Sequence, residues 1–246
     1  MIFKLVYFVF ILCFCTQLSL SQKIAQAPMN ATDRSVFGID ISHYNPVKNW
    51  TRFAETKMIK FAFTKATEGK SYLDSTFDQY WAELSKAGIA TGAYHFYRLD
   101  HTVHENFANV KKHLFDRVKF SKEHLFAVDF ESNYSHRKPV DVAKDLYSFL
   151  QMVEHELGFK PWIYTYALFW KEHIAEQHKN YPFHQYPLWI AHYGPDNPNI
   201  PIDTWPDYHI WQFTSSGHVD GIEGRVDCSV WKNPPENLFK AREITN

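Results

Sequence analysis

The sequence predicts an α/β fold: a single TIM-like β/α barrel of eight strands whose later helices are reduced or missing. Eight short apolar runs, rich in β-branched and aromatic residues, recur along the chain. Helical patterns fill most of the early gaps between them, and strands that alternate with helices imply parallel strands. The later gaps are shorter and rich in Pro, Asn and Gly, which favours loops. An open doubly wound sheet is the alternative, but no G-x-G-x-x-G follows any run.

The elements follow in order along the chain. The predicted strands are Val36–Ser42, Ile59–Lys65, Ile89–Tyr97, Leu125–Glu131, Pro161–Tyr166, Pro187–Tyr193, Tyr208–Phe213 and Val226–Trp231. The predicted helices are Phe77–Ala87, Val103–Val118, Val140–Leu157 and Leu168–His178. Gly88 and Gly158 stand where two of these helices should end, because glycine readily adopts the left-handed conformation that closes a helix.

The amino-terminal segment has the pattern of a signal peptide. A basic Lys4 precedes the apolar run Leu5–Cys15, and the small residues Ser19 and Ser21 suit a cleavage site. The run is short for a bilayer span, so an uncleaved anchor is less favoured. The predicted organisation is a signal peptide over 1–21, a linker over 22–35 and one barrel domain over 36–246.

Cysteine content and charge exclude several function classes. Cys13 and Cys15 lie in the predicted signal segment, so Cys228 alone would remain and could form neither an intramolecular disulfide nor a cysteine metal site. The net charge of −1 does not indicate a nucleic-acid partner. The histidines show no H-E-x-x-H spacing, so we expect no metal and no cofactor. We expect a monomer without membrane association once the signal is cleaved.

Two carboxylates close the fourth predicted strand. Side chains alternate along a strand, so Asp129 and Glu131 share a face while Phe130 points away. Paired carboxylates are what cleavage of a glycosidic bond needs, one to donate a proton and the other to stabilise or attack the developing cation. A lone Asp-x-Glu is more often a strand that runs into a solvated loop, so other acids must support this interpretation.

The barrel supplies such acids. Active sites of these barrels lie at the carboxyl ends of the strands. Asp40 lies near the end of the first strand and Asp227 at the start of the eighth, and these two strands are neighbours in a closed barrel. We therefore expect Asp40, Asp129, Glu131 and Asp227 to line one cavity.

The order of motifs resembles the glycoside hydrolase family 25 muramidases, also called Chalaropsis-type lysozymes. The resemblance covers about residues 36–231, and its segments are Gly38–Ser42, Phe61–Gly69, Gly92–Tyr97, Val128–Glu131, Pro161–Thr165, Leu188–Tyr193, Ile210–Phe213 and Val226–Ser229. It implies that Glu131 is the proton donor and that Asp129 orients the substrate's acetamido group. Direct attack by Asp129, or inversion through a water, stays open. Asp40 and Asp227 would bind the sugar and set the electrostatics.

Further substrate contacts are expected around these acids. Tyr94, Tyr164, Trp189 and Trp211 lie in or near strand ends, where one or two of them would stack on sugar rings, although each taken alone also suits the core. Lys65 could bind the substrate or pair with an acid. For Glu68, pairing with a base or holding a loop is favoured over catalysis.

The resemblance implies a secreted lysozyme. Its partner would be the glycan strand of bacterial peptidoglycan, and it would hydrolyse the β-1,4 bond between N-acetylmuramic acid and N-acetylglucosamine. A chitin-directed hydrolase is the first alternative, because chitin shares the acetamido group. The second is a glycan-binding protein without activity, which the retention of all four acids argues against.

Overall fold

The computed structural model describes residues 34–194, 197–236 and 238. The predicted signal peptide 1–21, most of the predicted linker and the carboxyl end of the predicted domain lie outside the described residues. The strands are β1 Ser35–Ile41, β2 Ile59–Glu68, β3 Tyr72–Leu73, β4 Ala90–Phe96, β5 Leu125–Asp129, β6 Trp162–Thr165, β7 Leu188–Ala191, β8 Ile210–Gly217 and β9 Val226–Lys232. All eight predicted strands are present, and β3 is an unpredicted short strand in a hairpin with β2.

The sheet closes into a barrel, which confirms the predicted fold class. The strand order is β1-β9-β8-β7-β6-β5-β4-β2, and β1 also pairs with β2. Every neighbouring pair from β1 through β2 and β4 to β8 is parallel. The expectation of parallel strands is wrong for β9, which runs antiparallel to both β8 and β1. The connection 218–225 is too short for a parallel crossover, which needs a dozen or more residues.

Helices pack outside the barrel mainly along its first half. They are α1 Trp50–Glu55, α2 Phe77–Lys86, α3 Val103–Val110, α4 Pro139–Leu157 and α5 Ala167–His173. The sequence did not predict α1. The helix predicted over Val103–Val118 is α3, which ends at Val110 and is followed by a π-helical turn, 111–115. After α5 the described residues contain only two short 3₁₀ segments, 175–179 and 183–185, so the later helices are reduced as predicted.

Large aromatic side chains fill the lower interior of the barrel. Phe61 and Phe63 alternate with outward residues on β2 and pack with Trp189 and Trp231 in the same buried cluster. Two glycines give these rings room. A Cβ on Gly38 would lie 2.4 Å from the Phe61 ring, and a Cβ on Gly92 would lie 2.6 Å from Phe63. The interior is therefore a packed core that supports whatever lies above it.

A second apolar layer joins the outer face of the barrel to its helices. Phe130 of the segment after β5 is fully buried there, with its ring centroid 5.1 Å from that of Phe169 on α5. Side chains from α4, including Leu146 and Phe149, belong to the same cluster. None of the helices described is both long and apolar enough to cross a membrane.

Candidate active site

Polar side chains form the top layer of the barrel interior. On β2, for example, the inward residues Phe61 and Phe63 are followed by Lys65 near the carboxyl end of the strand. These upper residues surround a cavity of about 230 Å³. Its lining includes the four predicted acids and four of the five predicted substrate-binding residues: Asp40, Asp129, Glu131, Asp227, Lys65, Tyr94, Tyr164 and Trp189.

The ladder places Asp129 and Glu131 on the same side of their strand. Asp129 is the last residue of β5, and the chain stays extended because the Phe130 amide donates to the Tyr164 carbonyl at 2.9 Å. Phe130 therefore points outward into the helix layer, and the acids on either side of it both reach the cavity. Asp129 is nearly buried, and its Oδ1 has no hydrogen-bond partner among the described residues.

Asp40 and Asp227 face each other across two neighbouring strands. They are direct cross-strand partners in the antiparallel ladder between β1 and β9. Cβ atoms of such partners lie about 4.5–5.5 Å apart, and like charges at that spacing repel. Because β9 is antiparallel, its first inward residue lies at the same mouth as the last inward residues of the parallel strands. The start of the eighth strand thus joins the site.

Gln212 connects three walls of the cavity. Its Nε2 donates to Asp40 Oδ2 at 2.9 Å. Its Oε1 accepts hydrogen bonds from the hydroxyls of Tyr164 at 3.0 Å and Tyr193 at 2.9 Å. The side chain is almost fully buried, so these three bonds fix the amide orientation and hold the Asp40 carboxylate in place.

The cavity raises the pKa of all four acids. Burial is the largest cause for each. The Asp227 charge adds to burial at both Asp40 and Glu131, while the Glu131 charge does so at Asp129. Burial raises the pKa of Asp227 to about 6. Repulsion among four carboxylates in one small cavity disfavours ionisation of all four, so the site retains protons at a pH where exposed acids have lost theirs.

Lys65 is held inside an ion-pair network beside the acids. Its Nζ lies 2.7 Å from Glu68 Oε2, and Glu68 Oε1 lies 3.4 Å from the guanidinium of Arg98. The positive charge of Lys65 lowers the pKa of Asp129 and of Glu131, against the effect of burial. Glu68 thus pairs with bases, which is the role that the sequence favoured over catalysis.

The predicted aromatic contacts divide into two groups. Tyr94, Tyr164 and Trp189 line the cavity, and the Trp189 ring also packs 4.5 Å from Phe63, between centroids, as part of the cavity floor. Trp211 does not line it. Its indole is fully buried outside the barrel and donates to the His192 carbonyl at 2.7 Å. We therefore remove Trp211 from the candidate site, since neighbouring residues on β8 face opposite ways and Gln212 takes the inward position.

Other residues of the site were missed from the sequence. Gln212, Tyr44 and Tyr193 line the cavity, and the two tyrosines are 78% and 54% exposed at its rim. Exposed aromatic rings at the rim of a cavity offer faces on which a ligand can stack. Gln212 belongs to the segment Ile210–Phe213, where strand alternation was the one available signal. Tyr44 and Tyr193 lie just beyond strand ends, where alternation no longer applies.

Metal binding and histidine catalysis find no support in the residues described. No group of three or more His, Cys, Asp or Glu among them is arranged to hold a metal ion. His95 on β4 is fully buried and forms hydrogen bonds with Thr67 and Asn106, and burial lowers its pKa to about 3. The absence of a cofactor stays a prediction.

Comparisons with known proteins agree with this geometry. Residues 39–222 match the model of glycosyl hydrolases family 25. The chain is 32% identical over 209 residues to the protein YegX of Escherichia coli K12, across 83% of this chain and 72% of YegX. The chain belongs to glycosyl hydrolase family 25. As a member of family 25 it is a glycoside hydrolase, which confirms the resemblance found in its motifs.

Two further relatives carry the name lysozyme. Lysozyme M1 of Streptomyces globisporus is 28% identical, across 85% of this chain and 72% of that protein. The crystal structure of the bacterial lysozyme from Streptomyces coelicolor is 26% identical with a TM-score of 0.74, and the match covers 83% of this chain and 94% of that one. This chain therefore shares its fold with nearly all of the Streptomyces coelicolor lysozyme.

Proposed function

We propose that this family 25 enzyme is a muramidase that hydrolyses the β-1,4 bond between N-acetylmuramic acid and N-acetylglucosamine in peptidoglycan. The observation that carries the proposal is the convergence of Asp40, Asp129, Glu131 and Asp227 on one cavity. Two relatives are named as lysozymes, and this supports peptidoglycan as the substrate class. The aromatic rim formed by Tyr44 and Tyr193 suits a sugar polymer.

Glu131 is the proton donor to the departing sugar oxygen. A donor must hold its proton near neutral pH, and burial together with the Asp227 charge raises the pKa of Glu131. Glu131 lies one residue past a fully buried Phe130, which fixes its backbone, and it is more accessible than Asp129. A partly exposed acid at the mouth can meet the glycosidic oxygen of a bound strand.

Asp129 orients the acetamido group of the substrate. Its unpartnered Oδ1 is a buried acceptor that awaits a donor, and an acetamido N–H is such a donor. In the free enzyme, burial also raises the pKa of Asp129, so the two neighbouring acids compete for a proton. A hydrogen bond from the substrate favours ionised Asp129 and leaves the proton on Glu131. This supports substrate assistance over direct attack by Asp129 or inversion through a water.

Asp40 and Asp227 complete the cavity wall that faces this pair. Gln212 donates to Oδ2 of Asp40, which lines the cavity, so sugar hydroxyls can donate to the other carboxylate oxygen. Asp227 contributes charge that raises the pKa of Glu131. Both acids therefore act on the position and protonation of the reacting groups.

The test is cleavage of purified peptidoglycan by the wild type and by Glu131→Gln. We expect the substitution to lower the rate of reducing-end release by at least about a hundredfold, which is the scale of general acid catalysis. Mass analysis of the fragments would show N-acetylmuramic acid at the new reducing ends. Equal rates would contradict the role of Glu131.

The two rival functions give different outcomes in the same assay. A chitin-directed hydrolase would release sugars from chitin oligosaccharides but leave peptidoglycan intact. A glycan-binding protein without activity would sediment with peptidoglycan and release nothing. We further propose that the protein is secreted, which the signal pattern in residues 1–21 supports and amino-terminal sequencing of the protein recovered from culture medium would test.

A further inference from the structure

A second pocket opens directly from the catalytic cavity. This side pocket lies between the turn Glu68–Tyr72 and the loop Arg98–His101, and its volume is about 460 Å³. Tyr44 and Lys65 line both the side pocket and the catalytic cavity. A group attached to a sugar in the cavity is therefore within reach of the side pocket.

The two spaces differ in charge. Carboxylates dominate the catalytic cavity, whereas the side pocket has three cationic side chains, Lys65, Lys70 and Arg98, against the carboxylates of Glu68 and Asp100. Arg98 and Lys65 are engaged by those carboxylates. Lys70 is exposed and forms no ion pair with the described residues. Its charge lowers the pKa of the exposed Glu105, and its ammonium can also reach an anion in the side pocket.

The wall that carries Lys70 is fixed in place. The Nδ2 of Asn109 donates to the backbone carbonyls of Glu68, Gly69 and Tyr72, at 3.1, 2.9 and 3.1 Å. Gly69 has a φ of +54°, and a Cβ at this position would lie 2.6 Å from the His101 ring. The turn therefore packs closely on the opposite loop. A preformed pocket loses less entropy when it binds a ligand than one that must order first.

The substrate class supplies a group with matching chemistry. In peptidoglycan the muramic acid ring carries a lactyl ether that continues as a peptide with free carboxylates, and chitin has no such substituent. That peptide is too large to stay with its sugar ring in a cavity of about 230 Å³. We propose that the side pocket binds the lactyl-linked peptide of muramic acid, with Lys70 pairing with one of its carboxylates.

This proposal rests on the proposed muramidase function. It adds a physical reason why the enzyme would select a glycan that carries peptides over a bare glycan. Lys65 stands at the junction, where Glu68 holds its ammonium 5.5 Å from the ring centroid of Tyr72. The rings of Tyr44 and Tyr72 supply apolar faces along the path of the peptide. A peptide-bearing glycan would thus gain contacts that a bare glycan lacks, which lowers the barrier for peptidoglycan alone.

The experiment compares two substrates made from one material. Peptidoglycan with intact peptides is one, and the same glycan after an amidase has removed the peptides is the other. The readout is the ratio of kcat/KM for the intact substrate to that for the stripped one, at low salt. We expect Lys70→Glu to lower this ratio about fivefold, the upper range for one exposed charge pair. About 1 M salt should remove the difference by screening.

Lys60→Glu is the matched control. Lys60 is exposed on β2, near the start of the strand and at the opposite end of the barrel, and Lys60→Glu should leave the ratio unchanged. An unchanged ratio in Lys70→Glu, with an active wild type, would overturn the peptide pocket alone. If that unchanged ratio comes with equal losses of rate on both substrates, the pocket holds a sugar of the strand and not the peptide. A wild type inactive on both substrates would instead overturn the muramidase function.

Discussion

Replacement of Asp227 by asparagine should stabilise the folded protein at neutral pH. Burial raises the pKa of Asp227 from an ordinary value of 3.8 to about 6, so the folded state holds its proton more tightly than the unfolded chain does. Stability conferred by that proton is complete below about pH 4 and is lost as the pH rises to about 6. Above pH 6 the ionised carboxylate of Asp227 lowers the stability of the folded state. Its charge also opposes ionisation of Asp40 and Glu131.

The expected gain follows from the size of this pKa difference. The interval from 3.8 to about 6 corresponds to about 3 kcal/mol, at about 1.4 kcal/mol per pH unit. Asp227 is only partly buried and faces an open mouth, so screening by water reduces the expected gain to about 2 kcal/mol. For a chain of this length that raises Tm by about 4 to 8 °C.

The assay is thermal unfolding followed by circular dichroism at pH 7.5 and at pH 4. Asp227→Asn should melt at a higher temperature than the wild type at pH 7.5 and at the same temperature at pH 4. Asp207→Asn is the matched control, because Asp207 is exposed in an ion pair with Lys232 and should show no gain. An equal or lower Tm for Asp227→Asn at pH 7.5, or the same gain at both pH values, would refute the reasoning.

Two other substitutions test separate parts of the site. Gln212→Leu removes the amide that holds Asp40 and should lower kcat/KM on peptidoglycan at least about tenfold. Gln151 is exposed, so Gln151→Leu is the control and should not lower kcat/KM. Equal rates for the two variants would argue against a role for the hydrogen bonds of Gln212. Trp211→Phe loses a buried hydrogen bond outside the cavity and should lower Tm by about 3 to 6 °C with KM unchanged. Trp189 lines the cavity, so Trp189→Phe should raise KM. Thermal melting and rate measurements on both variants test this. A raised KM for Trp211→Phe would return that residue to the site.

The placement of the four acids in one cavity could be predicted because strand alternation is a local property. Asp129 and Glu131 had to share a face once the chain between them was extended, and the hydrogen bond of Phe130 to Tyr164 keeps it so. The barrel rule then gave the end of the strand at which they would lie. Eight apolar runs sufficed for the closed barrel, since each run became one of its strands.

The face of β8 could not be read in the same way. Both sides of a barrel strand are buried, one by the interior and one by the outer layer, so hydrophobicity does not tell which side Trp211 occupies. Its aromatic ring suggested sugar stacking, but it packs near Phe213 and Tyr208 outside the barrel. Gln212 was not predicted because a single glutamine in a strand matches no catalytic motif. Its role depends on hydrogen bonds to three residues that are distant in sequence.

The direction of β9 was available from the sequence but was not inferred. A fully parallel barrel would place the start of the eighth strand, and so Asp227, at the end opposite to Asp40. Placing the two acids together therefore required an antiparallel last strand, and the eight residues of 218–225 allow only that. The functional expectation and the loop length each imply the same topology, which the structure shows.

The packing of the barrel and the protonation of its acids have one physical cause. Gly38 and Gly92 admit the rings of Phe61 and Phe63, and these rings close the barrel interior beneath the cavity. The acids lie in the cavity above this packed core, and burial is the largest cause of every raised carboxyl pKa in the site. A glycan strand laid across the mouth removes much of the remaining water, which further disfavours the ionised form of Glu131. The bound substrate therefore helps to keep the proton that its own cleavage requires.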